Sequence, residues 1–167
     1  MLLEDLKSAA KLAEPTNKKL VAKLLRLKPK NLDDTVQELH EEAFENIDCL
    51  TCANCCKTTS PIFQQGDIER LAKHLRMKTS EFIDKYLHID IDGDFVLNAA
   101  PCPFLGHDNY CHVYAHRPTA CREYPHTNRK RFYQLLDLSL KNTEICPAVY
   151  EIMEKLNKIY EKKEKII

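Results

Sequence analysis

The chain has 167 residues, and 25 lysines and arginines balance 25 aspartates and glutamates. This balance argues against a nucleic-acid partner, because nucleic-acid binders are usually basic. Three glycines are too few for Rossmann, P-loop or kinase phosphate loops. No apolar run approaches the roughly 20 residues that a membrane-spanning helix needs, and the first residues lack the pattern of a signal peptide. The composition predicts a globular cytoplasmic domain with no membrane partner.

The first part of the chain is predicted to be helical. Its apolar residues recur at helical spacing, and Pro15 is expected to end the first helix or to open the second. Asn31 is expected to cap a third helix. Basic groups dominate residues 1–31 and acidic groups dominate residues 32–48. We expect a charge-complementary helical hairpin here or, alternatively, an arm that binds a partner.

The middle of the chain is predicted to hold two short helices and a β-hairpin, at residues 66–76, 79–87 and 88–97. Asp67 and Thr79 stand where helix caps belong, and Asp92-Gly93 is a hairpin turn signal. Residues 98–127 are expected to form ordered loops and short turns.

Towards the end of the chain, one segment is ambiguous and one is clear. The leucines of residues 132–142 fit either a helix or a strand. Ala148, Ile152, Leu156 and Ile159 form an apolar stripe, which predicts a C-terminal helix.

Eight cysteines are the most informative feature of the composition. Disulfides are disfavoured in the cytosol. We therefore expect the cysteines to bind metal or to take part in redox chemistry, rather than to form the disulfides of an exported protein. The first cluster reads Cys49-x2-Cys52-x2-Cys55-Cys56, a spacing that lets a tight turn aim successive thiolates at one centre. The other four are Cys102, Cys111, Cys121 and Cys146.

Eight thiolates suffice for two four-cysteine sites. If the backbone is extended at Cys55 and Cys56, their side chains project to opposite sides. These two cysteines could then serve two different metals or bridge a small multinuclear cluster. The spacing does not say which ligands share a site.

The identity of the metal stays open between iron and zinc. The remote Cys146-Pro147 completes a pattern similar to that of bacterial ferredoxins, which favours an iron–sulfur cluster. Soft thiolates also bind zinc readily. Arg117 and Arg122 are expected either to offset thiolate charge or to bind an anionic substrate. The histidines at 107, 112, 116 and 126 are expected to be structural or solvent-facing.

Three motifs together resemble a known family. They are the cluster at 49–56, Cys-Pro-Phe-Leu at 102–105, and Cys-x-Val-Tyr-x2-Arg-Pro-x2-Cys-Arg-x-Tyr-Pro at 111–125. They resemble the YkgJ-like cysteine-cluster family, also described as a CxxCxxCC zinc- or iron-chelating domain. The resemblance covers about residues 49–147 and implies a small bacterial metal-binding domain. Flagellin lysine methylases look like longer proteins with a similar cluster, which raises an enzymatic alternative.

We therefore predict a mainly α fold with a small β-hairpin. It is a single metal-centred domain with long ordered cysteine-rich loops. The predicted parts are a helical extension at 1–48, a CxxCxxCC metal-binding core at 49–147 and a C-terminal helix at 148–167. All eight cysteines are predicted metal ligands, and the cofactor is iron, as an iron–sulfur cluster, or zinc.

Two other functions remain open beside metal chelation. One is an iron–sulfur-dependent redox or methyl-transfer enzyme, and the other is a metal carrier or zinc-stabilised interaction module. The metal ion is the one partner that the sequence identifies. It identifies no catalytic residue, no substrate and no protein partner.

We expect Cys52→Ser or Cys55→Ser to lower bound metal and solubility together, because the free energy of metal binding contributes to folding. The measurement is metal per chain and the soluble fraction of each variant. Soluble variants that keep a full complement of metal would contradict the assignment of these cysteines as ligands.

Overall fold

The structure is a computed structural model that describes residues 3–164, and side chains as far as residue 161. The predicted mainly helical fold with one small hairpin is confirmed. Among the described residues, no helix is long and apolar enough to cross a membrane. The chain forms two compact units. The helical unit contains the described residues of 1–48 and 125–167, and the cysteine-rich unit contains residues 49–124.

The secondary structure alternates longer helices with short helical turns. The α-helices are α1 Leu3–Leu27, α2 Leu32–Asn46, α3 Cys49–Cys52, α4 Asn54–Thr58, α5 Gln65–His74, α6 Thr79–Tyr86, α7 Thr119–Glu123, α8 Leu136–Asn142 and α9 Pro147–Glu164. The strands are β1 Leu87–Ile89 and β2 Phe95–Leu97, and 3-10 turns cover Tyr114–His116 and Phe132–Leu135.

One helix, α1, spans what the sequence predicts as two. Pro15 lies inside it, so the expectation that this proline ends a helix is wrong. A proline within a helix costs about 3 kcal/mol, because it removes a hydrogen bond and crowds the preceding turn. Leu6 and Ala10 before the proline and Leu20 and Leu24 after it are all buried. The packing of both flanks therefore keeps the helix continuous.

The helical unit is built around α9, which packs against α1 and α2. Three members of the predicted apolar stripe, Ala148, Ile152 and Leu156, are fully buried, and the fourth, Ile159, is half-buried. Between α9 and α1, the Asn157 amide nitrogen donates a hydrogen bond to the Asn17 side-chain oxygen over 2.6 Å. This buried amide pair fixes one position of α9 along α1.

Residues 125–142 pack in the helical unit, whereas the predicted metal-binding core, residues 49–147, includes them. The segment that was ambiguous is helical, with a 3-10 turn leading into α8. Asn31 stands at the predicted N-cap position of α2, but its side chain makes no capping hydrogen bond. The Asp33 carboxylate, in the first turn of α2, accepts hydrogen bonds from the backbone N–H groups of Arg131 at 2.7 Å and Phe132 at 2.8 Å. The three-part division of the chain stays a prediction.

The cysteine-rich unit has its own apolar core. The helices α5 and α6 and the β1–β2 hairpin form within a few residues of their predicted places, and Gly93 makes the hairpin turn with φ 87°. Ile68, Leu71 and Phe82 are fully buried together with Phe104 and Val113. Two cysteines, at 102 and 111, pack against this core, so its packing helps to position candidate ligands.

His40 gives the helical unit a pH-dependent stability. Its Nδ1 lies 2.7 Å from the Thr127 hydroxyl. Burial lowers the pKa of His40, and the neighbouring Glu41 charge raises it in part. Because the folded-state pKa lies below the unfolded value of about 6.5, His40 favours folding at higher pH. That contribution is lost as the pH falls through about 6.5.

We expect the free energy of unfolding of His40→Gln to fall less between about pH 7 and pH 5 than that of the wild type. Urea denaturation across this range measures the difference. His88→Gln, at an exposed strand position, is the control and should follow the wild-type curve. Superimposable curves for His40→Gln and the wild type would contradict the prediction.

Candidate metal centre

The first cysteine cluster lies on two short helices, α3 and α4. Ala53 separates them and has a left-handed backbone, with φ 48°. Cys55 and Cys56 are both helical in α4, so the extended backbone that would send their side chains to opposite sides is not the one adopted. Adjacent residues of a helix still project about 100° apart. The two thiols therefore point in different directions, for a different geometric reason.

The second cysteine segment is joined to the first by its backbone. The Cys102 N–H donates a hydrogen bond to the Cys56 carbonyl over 2.8 Å. A tight loop follows, in which the His112 N–H donates to the Phe104 carbonyl over 2.9 Å. A Cβ at Gly106 would come within 3.2 Å of the Tyr110 carbonyl oxygen, so this turn favours glycine. The loop returns Cys111 to the side of Leu105.

A polar contact also joins this loop to the first cluster. The Asn109 side-chain nitrogen donates a hydrogen bond to the Thr51 carbonyl of α3 over 2.9 Å. Asn109 itself has a left-handed backbone, with φ 66°, a conformation that asparagine tolerates better than most residues. The loop therefore contacts both α3 and α4.

The thiols of Cys56, Cys102, Cys111 and Cys121 lie within electrostatic range of one another. Burial raises the pKa of Cys102 to about 11, and the charges of Cys56 and Cys111 add to the rise. Burial likewise raises the pKa of Cys121 to about 12, with contributions from all three other thiolates. The pKa of Cys111 is raised by burial and by Cys56, while Arg117 lowers it.

Cys56 differs from the other three members of this group. A hydrogen bond from the Cys55 thiol, with a smaller effect of the Lys57 charge, lowers the pKa of Cys56 to about 7 against the opposing effect of burial. A thiolate rather than a thiol is the form that binds metal. Cys56 is thus the member of the group most readily ionised near neutral pH.

The four remaining cysteines are placed differently. Cys49 is exposed, and Cys52 and Cys55 are half-buried in the cysteine-rich unit. Cys146 is buried in the helical unit, immediately before α9. The charges of Cys56, Cys102, Cys111 and Cys121 affect one another's pKa values, and the assignment of all eight cysteines as metal ligands stays a prediction.

Arg117 and Arg122 have defined contacts near the second cysteine segment. The Arg117 guanidinium lies 3.9 Å from the centre of the Tyr114 ring, and its Nη1 donates a hydrogen bond to the Tyr114 carbonyl over 2.7 Å. Arg122 donates to the Arg117 carbonyl over 3.2 Å. Arg117 lowers the pKa of both Cys111 and Cys121. This agrees with the expectation that arginine offsets thiolate charge.

The donor chemistry of this group fits a thiolate-bound metal. Among the described side chains, no group of three or more His, Cys, Asp or Glu residues is arranged to hold a metal ion. The thiols of Cys56, Cys102, Cys111 and Cys121 nevertheless affect one another's pKa values, and Cys102 and Cys111 lie beside an apolar core. Sulfur donors in such surroundings suit zinc and iron–sulfur centres. Closing the ligand set would require a local rearrangement of the thiols around the ion.

Comparison with known proteins identifies the family. Residues 48–167 match the family CxxCxxCC, which is described as "Putative zinc- or iron-chelating domain". The chain belongs to the CxxCxxCC family. The CxxCxxCC match includes all eight cysteines and supports metal binding in general. No curated protein and no solved structure matches the chain significantly.

The sequence does not predict the full hydrogen-bond network of one buried carboxylate near the second cysteine segment. Asp67, expected to be a helix cap, lies in the first turn of α5 after the N-cap Gln64, and its exposed fraction is 2%. It accepts hydrogen bonds from Arg70 Nη2 at 2.6 Å and from the N–H and hydroxyl of Thr119 at 3.1 and 3.0 Å. The i,i+3 spacing of Asp67 and Arg70 is the signal that could have indicated part of this network.

We expect Asp67→Asn to destabilise the protein by about 1.5–3 kcal/mol, the usual value for hydrogen bonds to a charged group. Burial raises the pKa of Asp67, but hydrogen bonds from Arg70, Gln64 and Thr119 outweigh it and hold the pKa below its usual value. The ionised form therefore contributes to stability at neutral pH. Urea denaturation at pH 7 measures the loss.

Glu81→Gln is the matched control for this substitution. Glu81 has the equivalent position in α6, where it accepts a hydrogen bond from the Lys78 N–H over 3.2 Å in an exposed setting. We expect it to cost about 0.5 kcal/mol or less, because exposed polar substitutions have small effects. Equal losses in the two variants would show that the Asp67 network adds no stability beyond helix capping.

Proposed function

We propose that this CxxCxxCC protein chelates iron or zinc through cysteine thiolates of its cysteine-rich unit. In this proposal Cys56, Cys102, Cys111 and Cys121 form one ligand set. The observation that carries it is the backbone hydrogen bond of 2.8 Å from the Cys102 N–H to the Cys56 carbonyl, together with the packing of Cys102 and Cys111 against one apolar core. Cys121, on α7, is coupled by charge to the other three thiols. Four donors of one chemical type drawn from three segments are what a cross-linking metal requires.

Charge supports this assignment. When one of the four thiols ionises, it raises the free energy needed to ionise its neighbours, as the raised pKa values of Cys102 and Cys121 reflect. A bound cation reverses that effect, because it attracts every thiolate in the set. The Arg117 guanidinium offsets part of the same charge. The set is thus better suited to a metal than to free thiolates.

The surroundings of the thiols support it as well. Phe104 and Val113 are buried next to Cys102 and Cys111. An apolar shell limits the access of water and strengthens metal–thiolate interactions. Bound zinc would supply a structural cross-link, and an iron–sulfur cluster would supply electron transfer.

The proposal also takes the remaining cysteines as metal ligands, namely Cys49, Cys52, Cys55 and Cys146. Three of them belong to the cluster that gives the family its name.

Elemental analysis of protein purified without oxygen tests the proposal. We expect stoichiometric metal. Iron with acid-labile sulfide and a broad visible absorption band would identify an iron–sulfur cluster, and colourless protein with zinc would identify a zinc site. Wild-type protein that holds neither metal, as purified or after reconstitution with each, would overturn the proposal.

A matched pair of serine variants on α7 tests the ligand set. Cys121→Ser removes a proposed ligand, and Ala120→Ser introduces the same side chain at the adjacent, half-buried position. We expect Cys121→Ser to lose metal and Ala120→Ser to keep it. A Cys121→Ser protein with the full wild-type metal content would exclude Cys121 from the set.

A further inference from the structure

We infer that Arg70 and Asp67 of α5 are positioning residues of the metal centre. They hold the segment between Cys111 and Cys121 in place, so that these two ligands are correctly spaced before the metal binds. The inference rests on the proposed function, because it assigns a role to residues that contact the backbone between two proposed ligands.

Arg70 binds two successive carbonyl groups in that segment. Its Nε donates a hydrogen bond to the His116 carbonyl over 3.2 Å, and its Nη2 donates to the Arg117 carbonyl over 3.0 Å. These carbonyls lie about midway along the chain between Cys111 and Cys121. The planar guanidinium presents its donors in a rigid fork, so it fixes the orientation of this peptide as well as its position.

Asp67 binds the segment on the other side of Pro118. Its Oδ1 accepts the Thr119 N–H at 3.1 Å and the Thr119 hydroxyl at 3.0 Å, and it also accepts Arg70 Nη2 at 2.6 Å. Pro118 lies between the two sets of contacts, and its ring restricts φ. The Asp67–Arg70 pair therefore holds the backbone on both sides of a stiff residue, immediately before the helix that carries Cys121.

A third contact comes from the end of α5. The His74 ring stacks on the His116 ring with the ring centres 4.1 Å apart. Residues on three positions of one helix, 67, 70 and 74, thus contact residues 116–119. This i, i+3, i+7 spacing places them on one face of α5.

The same helix is fixed to the other proposed ligand through the apolar core. Ile68 and Leu71 of α5 are fully buried in the core that also contains Val113, and Cys111 packs against that core. α5 thus locates Cys111 through apolar packing and Cys121 through hydrogen bonds. One rigid element sets the position of both ligands.

This arrangement lowers the entropic cost of metal binding. Without the contacts to α5, the chain between the two ligands would be ordered only when the metal binds, and that ordering would reduce affinity. Substitution of groups that support metal ligands typically lowers metal affinity about 10- to 100-fold. We expect a change of this size when the contacts to residues 116–119 are removed.

Thr119→Val and Thr119→Ser test the inference. Valine has nearly the shape of threonine but cannot donate to Asp67, whereas serine keeps the hydroxyl. In full-length metal-loaded protein, we expect Thr119→Val to release metal to an excess of chromophoric chelator about 10-fold faster than the wild type. We expect Thr119→Ser to restore the wild-type rate. The thiolate-to-metal absorption of the cobalt(II)-exchanged protein should shift in the valine variant and return in the serine variant.

Arg70→Met provides a second variant, with Lys73→Met as its control on an exposed face of α5. We expect faster metal release and an altered cobalt(II) spectrum from Arg70→Met only. The inference is overturned if the wild type holds metal and neither Thr119→Val nor Arg70→Met changes release and spectrum. It is overturned too if Thr119→Ser behaves like Thr119→Val. A wild type that holds no metal rejects the proposed function, and the inference with it.

Discussion

The arrangement of the cysteine-rich unit depends on the hydrogen bonds that the buried Asp67 carboxylate accepts. A charge with 2% exposure is tolerated in a protein only when hydrogen bonds and an opposite charge compensate for lost hydration. Here the compensating groups come from α5 and from the start of α7. Satisfying one carboxylate therefore requires two segments that are far apart in sequence to meet.

Much of the fold could be predicted from the sequence, because local signals suffice for local elements. The helices around Asp67 and Thr79 and the turn at Gly93 follow from periodicity and from the conformational freedom of glycine. The prediction that Pro15 ends a helix is wrong because the burial of both flanks of α1 outweighs the local cost of a proline within a helix. Segment 132–142 was ambiguous because its leucines fit two periods, and tertiary contacts decide such cases.

The sequence predicts the type of donor in the candidate site better than it predicts which cysteines lie together. Cysteine spacing predicts the donors, and residues 48–167 match the family. A backbone hydrogen bond joins Cys102 to Cys56. Every residue except proline has a backbone N–H, so the sequence does not indicate which of these groups will pair. The partners of Arg70 are likewise carbonyl groups. Side-chain patterns therefore indicate which residues bind, while the network that spaces them emerges only from the fold.

The discontinuous helical unit has a consequence for biosynthesis. α1 and α2 bury their apolar faces against α9, yet the whole cysteine-rich unit, residues 49–124, lies between them in the chain. Because domains fold as they leave the ribosome, the cysteine-rich unit is fully synthesised while α1 and α2 still lack their packing partner. The nascent chain thus has an interval in which its thiols can be loaded with metal before the helical unit closes. Slow metal supply would lengthen the exposure of the free thiols to oxidants, and delayed synthesis of α9 would lengthen the exposure of α1 and α2 to chaperones.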